Sequence, residues 1–296
     1  MDRVRRFNRT VTQRIGALDD AFLSRGRPLG QARLLWEIGT EGSEVRSLRA
    51  RLDLDSGYLS RMLRALQADR LAVVEVDDAD GRVRRVRLTP AGLAEREELN
   101  RRSDDLAVSI LEPLNDDQCG RLIAAMGEVE HLLVASMVRI AVVDPRHPDA
   151  RHCLHAYFAE LAERFDSGFD PAHSISADDD ELTPPAGLLV IATLHSDPVG
   201  CGALKNHPDG WAELKRMWVS PTVRGLGLGR RLLAELEARA AAFGVRTLRL
   251  ETNRSFIEAI GLYRTSGYRE VGAFNDEPCA DHWFEKTLDL DNTPTA

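Results

Sequence analysis

A short apolar strand that runs into glycines at alternate positions and then into a long amphipathic helix leaves a chain few ways to fold. Glu213-Leu214-Lys215-Arg216-Met217-Trp218-Val219 reads as such a strand, Ser220-Pro221 as a turn and Arg224-Gly225-Leu226-Gly227-Leu228-Gly229 as the loop. A helix follows from near Arg230. Glycine lets the backbone approach a ligand closely, and the N–H groups that open a helix carry partial positive charge, so this stretch suits a phosphate. No Gly-Lys-Ser/Thr follows, which removes the Walker lysine, and Leu232 stands where a dinucleotide fingerprint needs its third glycine.

At 296 residues the chain has room for about two domains of roughly 150 residues. It lacks an apolar run of about 18 residues and opens Met-Asp-Arg-Val-Arg-Arg, so neither a membrane span nor a signal peptide is read, and the expectation is a soluble, cytoplasmic protein. Cys119, Cys153, Cys201 and Cys279 form no Cys-x-x-Cys pair, so no metal site or disulfide framework is expected, and buried reduced thiols are. The net charge of -8 is uneven: residues 1–145 hold 23 arginines and no lysine against 24 acidic residues, the remainder 16 basic against 23 acidic. A basic stretch stands out at residues 46–64, with Arg46, Arg49, Arg51, Arg61 and Arg64 against Asp53 and Asp55.

In residues 3–24, Val4, Phe7, Val11, Ile15, Leu18 and Phe22 recur at helical spacing. Further helices are expected at 31–39, 44–52 and 56–69, the last capped by Ser56 and burying Leu59, Met62, Leu63 and Leu66. Leu71–Val76, a charged turn and Arg82–Leu88 read as a β-hairpin. Helix, turn, helix and hairpin make a winged helix-turn-helix. Ser56, Tyr58, Ser60, Arg61 and Arg64 lie outside the apolar stripe, free to meet a DNA major groove, and the hairpin tip offers Arg82, Arg84 or Arg85 to the minor groove or backbone. Most of residues 5–140, from Val45 to Arg61 through Asp80-Gly81-Arg82 to Leu88-Thr89-Pro90-Ala91-Gly92, resembles a MarR-type regulator. The resemblance implies an operator duplex as partner and a homodimer built by the first helix and the last two, here 91–111 and 115–140.

Asp144-Pro145-Arg146-His147-Pro148-Asp149 breaks helical periodicity and is read as the linker, giving domains 1–143 and 150–296 joined by 144–149. A helix at 150–165 and a long acidic loop at 166–185 come next. Strands are expected at 187–193, 198–205, 211–219, 247–252, 269–273 and 283–286, with helices at 229–243 and 256–266, hence a mixed α/β (α+β) sheet with crossover helices. Arg224, Gly227 and Gly229 give Arg-x-x-Gly-x-Gly. With Glu213–Val219, Leu248–Asn253 and Ala259-Ile260-Gly261-Leu262-Tyr263-Arg264-Thr265-Ser266-Gly267-Tyr268, residues 150–288 resemble the GNAT superfamily of acyl-CoA transferases.

That resemblance implies acetyl-CoA as cofactor, with Arg224, Gly225, Leu226, Gly227, Leu228, Gly229 and Arg230 at its pyrophosphate. Met217, Trp218 and Val219 would run along the pantetheine arm, a backbone N–H near Val219 would meet the acyl oxygen, and Tyr263 would protonate the departing thiolate. An amine must be neutral to attack, so a base is useful. Glu213 matches the catalytic strand glutamate of histone-type members, with Glu251 and His282 as competitors. Many members carry Asn where Phe256 stands; Asn253 is the substitute candidate for that cofactor contact, and Asp276, Glu277 and Asp281 are candidates for binding a cationic amine. The leading expectation is a DNA-binding regulator fused to an N-acetyltransferase acting on a small amine, amino acid or peptide. Two others stand beside it: a GNAT half that senses acetyl-CoA or an amine without turnover, and a winged helix that only dimerises or binds protein.

Overall fold

The computed structural model describes residues 1–17, 22–24, 26–76, 83–165, 169, 174–175 and 177–288, and the chain divides into two units, Met1–Val129 and Glu130–Ala296. Among the described residues no helix is long and apolar enough to cross a membrane.

The first unit runs α1 (Asp2–Arg14), α2 (Leu29–Ile38), β1 (Ser43–Glu44), α3 (Val45–Leu52), α4 (Ser56–Ala68), β2 (Ala72–Val76), β3 (Arg84–Leu88), α5 (Pro90–Leu111) and the start of α6 (Asp116–Met137). The helix expected over 3–24 ends at Arg14, because Gly16 takes φ 65 just past it. Residues 18–21 and 25 lie outside the described residues. Asp53 at φ 47 ends α3, and Asp55 caps α4 by accepting from Gly57 N (2.9 Å) and Tyr58 N (3.0 Å). Ser56, expected as that cap, is instead the first helical residue. The carboxylate one position earlier reaches two orphan N–H groups.

The α4 stripe Leu59, Met62, Leu63 and Leu66 is buried against Leu34, Leu35, Ile38 and Leu48, each fully buried leucine worth about 1.5–3 kcal/mol. Antiparallel β2 and β3 complete a three-stranded sheet of order β1-β3-β2. Residues 77–82, with the expected contact Arg82, lie outside the described residues. Thr89 ties the sheet to α5: its hydroxyl donates to Arg70 O (2.7 Å) and accepts from Gly92 N (3.1 Å). Gly92 has no alternative, since a Cβ there would lie 1.9 Å from Leu71 O.

In the second unit β4 (Arg139–Val142), α7 (Pro148–Arg164), β5 (Gly187–Leu194), β6 (Asp197–Asn206), β7 (Trp211–Val219), α8 (Leu228–Ala242), β8 (Thr247–Thr252), α9 (Ile257–Thr265), β9 (Arg269–Val271) and β10 (His282–Thr287) follow in order. They build a seven-stranded sheet ordered β4-β5-β6-β7-β8-β10-β9, parallel only between β7 and β8. The crossover that a parallel pair requires is α8, which buries Leu228, Leu232, Leu233, Leu236 and Ala240 on the sheet.

One expectation changes here. The last helix of the first half, expected over 115–140, stops at Met137, and Arg139–Val142 pairs with Val190–Thr193 as β4. β-branched Val138, Ile140 and Val142 favour a strand once a sheet edge is present. The two units meet at Val129/Glu130, ahead of the break read at 144–149, and Pro148 already opens α7, where His147 Nδ1 accepts from Asp149 N (3.2 Å).

Candidate active site

The site begins with a fault in the sheet. Cys201 pairs with Trp218 but Ala203 with Lys215, so β7 carries one extra residue, a bulge at Arg216 and Met217. Arg216 adopts φ 59 there, with its guanidinium over the Phe158 ring (4.5 Å) and its carbonyl accepting from the Cys201 thiol (3.1 Å). Opposite lies Gly202, where a Cβ would sit 2.7 Å from Met217 Sδ. A bulge sharpens strand twist, and the consequence shows on the other side of β7. Its ladder with β8 covers only Trp211–Glu213 against Thr247–Arg249, although β7 continues to Val219 and β8 to Thr252. The strands part at their C-terminal ends, and two cavities fill the gap.

The larger cavity, about 630 Å³, is lined by Met217, Trp218, Val219, Arg224, Gly225, Gly227, Leu228, Gly229 and Arg230, nine of the expected cofactor residues. Gly225 and Gly227 stand at φ 85 and 70, and a Cβ on Gly227 would meet nothing within 4 Å. No side chain caps α8, so its first N–H groups keep an open face for an anion. Leu226 does not line this cavity and packs on the core.

Arg224 donates to Val219 O (3.1 Å) and to Glu160 (2.5 Å), which also accepts from Trp218 Nε1 (3.0 Å) and pairs with Arg164 (2.9 Å). Arg164 reaches Glu258 (3.2 Å) and lies over Phe256 (4.9 Å). Glu160 and Arg164, which sequence reasoning missed, thus close one wall of the cavity with α7. A glycine cradle, an uncapped helix start and a cavity between parted strands fit a CoA-type pyrophosphate and its arm.

The smaller cavity, about 110 Å³, shares Tyr157, Leu161, Met217, Phe256, Ala259 and Tyr263 with the larger and adds Lys215, Glu251, Asn253 and Glu277. Tyr263 is buried where the two meet. Its hydroxyl pKa is driven well up by burial, with Tyr157 and Glu251 adding to the effect, so it stays protonated. Tyr157 is pushed up to about 12 by burial, which Arg216 opposes. Asn253, expected at the cofactor, lines only this smaller cavity, donating to Cys279 O (2.8 Å) and accepting from Ser255 N (2.9 Å). Of the acidic candidates for an amine, Glu277 lines the cavity but is occupied by Ser174 Oγ (2.9 Å) and Ile175 N (2.7 Å). Asp276 is exposed, and Asp281 accepts from Arg254 N (3.1 Å).

The three candidate bases separate by position. Glu213 is buried but lines neither cavity, and His282 lines neither and meets Glu270 (2.6 Å). Glu251 alone faces the smaller cavity. Burial raises its pKa, Lys215 opposes this, and the neighbouring Glu213 carboxylate raises it further. Burial also works against a charged Lys215, but the two carboxylates outweigh it and its pKa is raised. Cys153 and Cys201 are buried as expected, whereas Cys119 and Cys279 are only half-buried; all four are free.

In the first unit Ser56, Tyr58, Arg61, Arg64 and Arg84 are exposed and Ser60 is half-buried. Arg61 lies over the Tyr58 ring (5.6 Å) and Arg64 Nε donates to Ser60 O (3.3 Å), so α4 carries these side chains outside its apolar stripe.

Residues 154–268 match the model of the Acetyltransferase (GNAT) family. An IAA acetyltransferase of Azospirillum brasilense is 40% identical over 94 residues, 31% of this chain and 61% of that one. An uncharacterized N-acetyltransferase of Schizosaccharomyces pombe is 32% identical over 111 residues, 34% of this chain and 67% of that one. Among solved structures, a putative acyl-CoA N-acyltransferase of Klebsiella pneumoniae is 31% identical and covers 52% of this chain and 99% of its own, at a TM-score of 0.44. The chain spans about 61% of the length of the Azospirillum relative.

Proposed function

This chain belongs to the GNAT family of acetyltransferases, whose cofactor is acetyl-CoA, and we propose that it acetylates a primary amine of a small molecule, amino acid or peptide. The observation that carries the reading is the meeting of the two cavities at Tyr263, between parted strands and beside an uncapped helix start. When bound, acetyl-CoA supplies a thioester-activated acetyl group. Gly225, Gly227 and the opening N–H groups of α8 bind pyrophosphate, with Arg224 and Arg230 beside them. Met217–Val219 presents backbone to the arm and, near Val219, an N–H to the acyl oxygen.

Glu251, rather than Glu213, takes the proton from the ammonium, because it alone of the two lines the smaller cavity. Tyr263 holds a proton for the departing sulfur. Thiol release from acetyl-CoA over a panel of amines tests the reading. Tight CoA binding without turnover on any of them would leave a non-catalytic sensor.

For the first unit we propose a MarR-type winged helix-turn-helix that binds duplex DNA as a homodimer. The α3–turn–α4–hairpin order, with Arg61 and Arg64 exposed off the buried stripe, supports it. So do α1 and the part of α6 that lies in this unit, which bury no residue, and that part of α6 exposes Ile123 and Met126. Such a face needs cover, and a second copy supplies it. Arg61→Ala with Arg64→Ala is expected to weaken DNA binding and reduce its salt slope by up to about 2. Unchanged binding would reduce this unit to a dimerisation or protein-binding module.

A further inference from the structure

A buried base that strips an ammonium on every turnover must be emptied on every turnover, and Glu251 has only 11% of its side chain exposed. We infer that Glu251, Glu213 and His207 form a relay that carries the ammonium proton from the smaller cavity to the protein surface at the β6–β7 turn. The inference rests on the acetyltransferase reading above.

The connections are short and continuous. Glu251 Oε1 accepts from Lys215 Nζ at 2.8 Å, and the same ammonium lies 3.2 Å from Glu213 Oε1. Asn275 Nδ2 forms a second bridge, 3.3 Å from Glu213 Oε1 and 3.5 Å from Glu251 Oε2, and Trp283 Nε1 holds that amide by donating to its oxygen (2.8 Å). The other Glu213 oxygen, Oε2, is 3.3 Å from His207 Nε2. Side-chain exposure runs 11% at Glu251, 3% at Glu213 and 24% at His207, so the path leads from the cavity through the interior to water. The imidazole is held in place by stacking on Trp211, with centroids 3.7 Å apart and planes 5° apart.

Charge explains why a proton travels here. Two buried carboxylates share one ammonium, so the cluster is one positive charge short and takes up a proton readily. Lys215 itself stays out of the transfer, because its contacts with Ile175 O (3.3 Å), Glu213 and Glu251 occupy its three N–H groups and hold it charged.

In the transfer, an N–H bond of the ammonium breaks and an O–H bond forms on Glu251, leaving a neutral amine. That proton passes to Glu213 across the direct hydrogen bond between the two carboxyls as Glu251 returns to carboxylate, then to His207 Nε2 as Glu213 does the same, and the imidazolium loses a proton to water. His207 faces Lys205 on β6, Asp209 in its own turn, Glu181 ahead of β5, and Glu213 and Lys215 on β7. Burial, then Lys205 and Lys215, lowers its pKa against Glu181 and Asp209, so the imidazolium gives up its proton promptly. Glu251 faces Arg216, Glu277, Tyr157 and Tyr263 across the cavity, and Arg249 beside it on β8 is taken by Glu285 (2.9 Å).

The test uses the full-length protein. His207→Ala is expected to lower kcat by roughly 10- to 100-fold with an unchanged acetyl-CoA Kd, and added imidazole is expected to restore it in proportion to the unprotonated imidazole present. His207→Gln keeps a donor for Glu213 but cannot relay, and is expected to be as slow. On the protein alone, the imidazole 15N titration of His207 is expected to move down in Glu213→Gln, as loss of a facing carboxylate requires. Wild-type rates in both His207 variants, or a loss that imidazole never rescues, would overturn the relay, as would an unmoved titration. A wild type that releases no thiol with any amine fails alike with its variants, and that overturns the acetyltransferase reading itself.

Discussion

Replacing Lys215 by methionine keeps the length of a buried side chain and deletes the ammonium that Glu213 and Glu251 share. Left as two carboxylates, the pair would face the cost of breaking a buried ion pair, about 3–5 kcal/mol. The protein has a cheaper course, which is to bind a proton. Protonating a carboxyl with an ordinary pKa of 4.5 costs about 3.4 kcal/mol at pH 7, at about 1.4 kcal/mol per pH unit. One proton restores the wild-type charge, so about 3.4 kcal/mol is the expected deficit at pH 7. The variant's folded-state pKa lies above the unfolded one, so stability is fully present below 4.5 and is lost as pH rises through the folded value. The deficit therefore shrinks to about 0.7 kcal/mol at pH 5. Urea unfolding of wild type and Lys215→Met at the two pH values measures it through tryptophan fluorescence, since Trp211, Trp218 and Trp283 all lie in the second unit. A deficit that stays constant with pH would refute the argument, because it would place the cost in packing rather than in charge.

Tyr263→Phe is expected to lower turnover about 100-fold while leaving acetyl-CoA affinity within about twofold, because the hydroxyl acts only as charge develops on sulfur. Stopped-flow thiol release with calorimetric binding separates the two, and an unchanged rate removes Tyr263 from the mechanism. Gly92→Ala is expected to destabilise the first unit by about 3 kcal/mol or more, since its Cβ would lie 1.9 Å from Leu71 O. Gly120→Ala, in α6 with nothing within 4 Å, is the control and is expected to stabilise by about 1 kcal/mol. Fluorescence of Trp36, the tryptophan of the first unit, follows both variants.

Periodicity carried most of the architecture. The stripe Leu59, Met62, Leu63, Leu66 names the buried face of α4 because helical spacing and burial are the same information. Glycine spacing likewise marks the start of α8, since only residues that tolerate φ 85 and 70 make that turn easily. What escaped depended on long-range pairing. Residues 139–142 follow a helix without a breaker, and only the edge of β5 turns them into a strand.

Glu213 and Glu251 could not be ranked as bases without the β7–β8 register, in which Glu213 sits beside Arg249 and Glu251 lies past the last paired rung. His207 falls between the strands expected at 198–205 and 211–219, and sequence reasoning missed it. Its position six residues before Glu213 across a tight hairpin was the signal that could have found it. Glu160 sits on a helix face indistinguishable by sequence from a solvated one, and only the bulge that turns Trp218 and Arg224 toward it makes it a wall of the cavity.

The parted ends of β7 and β8 create a pair of sheet edges inside a sheet. Outer edges invite other chains to add a strand, and proteins blunt them with charge, proline or cover. These inner edges face one another across a slot, so geometry protects them: another polypeptide strand, with side chains on both faces, meets α7 and α9 before it reaches a rung. A slender molecule that carries its own amides along a thin chain meets no such obstacle. With the cofactor placed as proposed, selectivity for its arm over any peptide begins with girth, before a single polar contact is made.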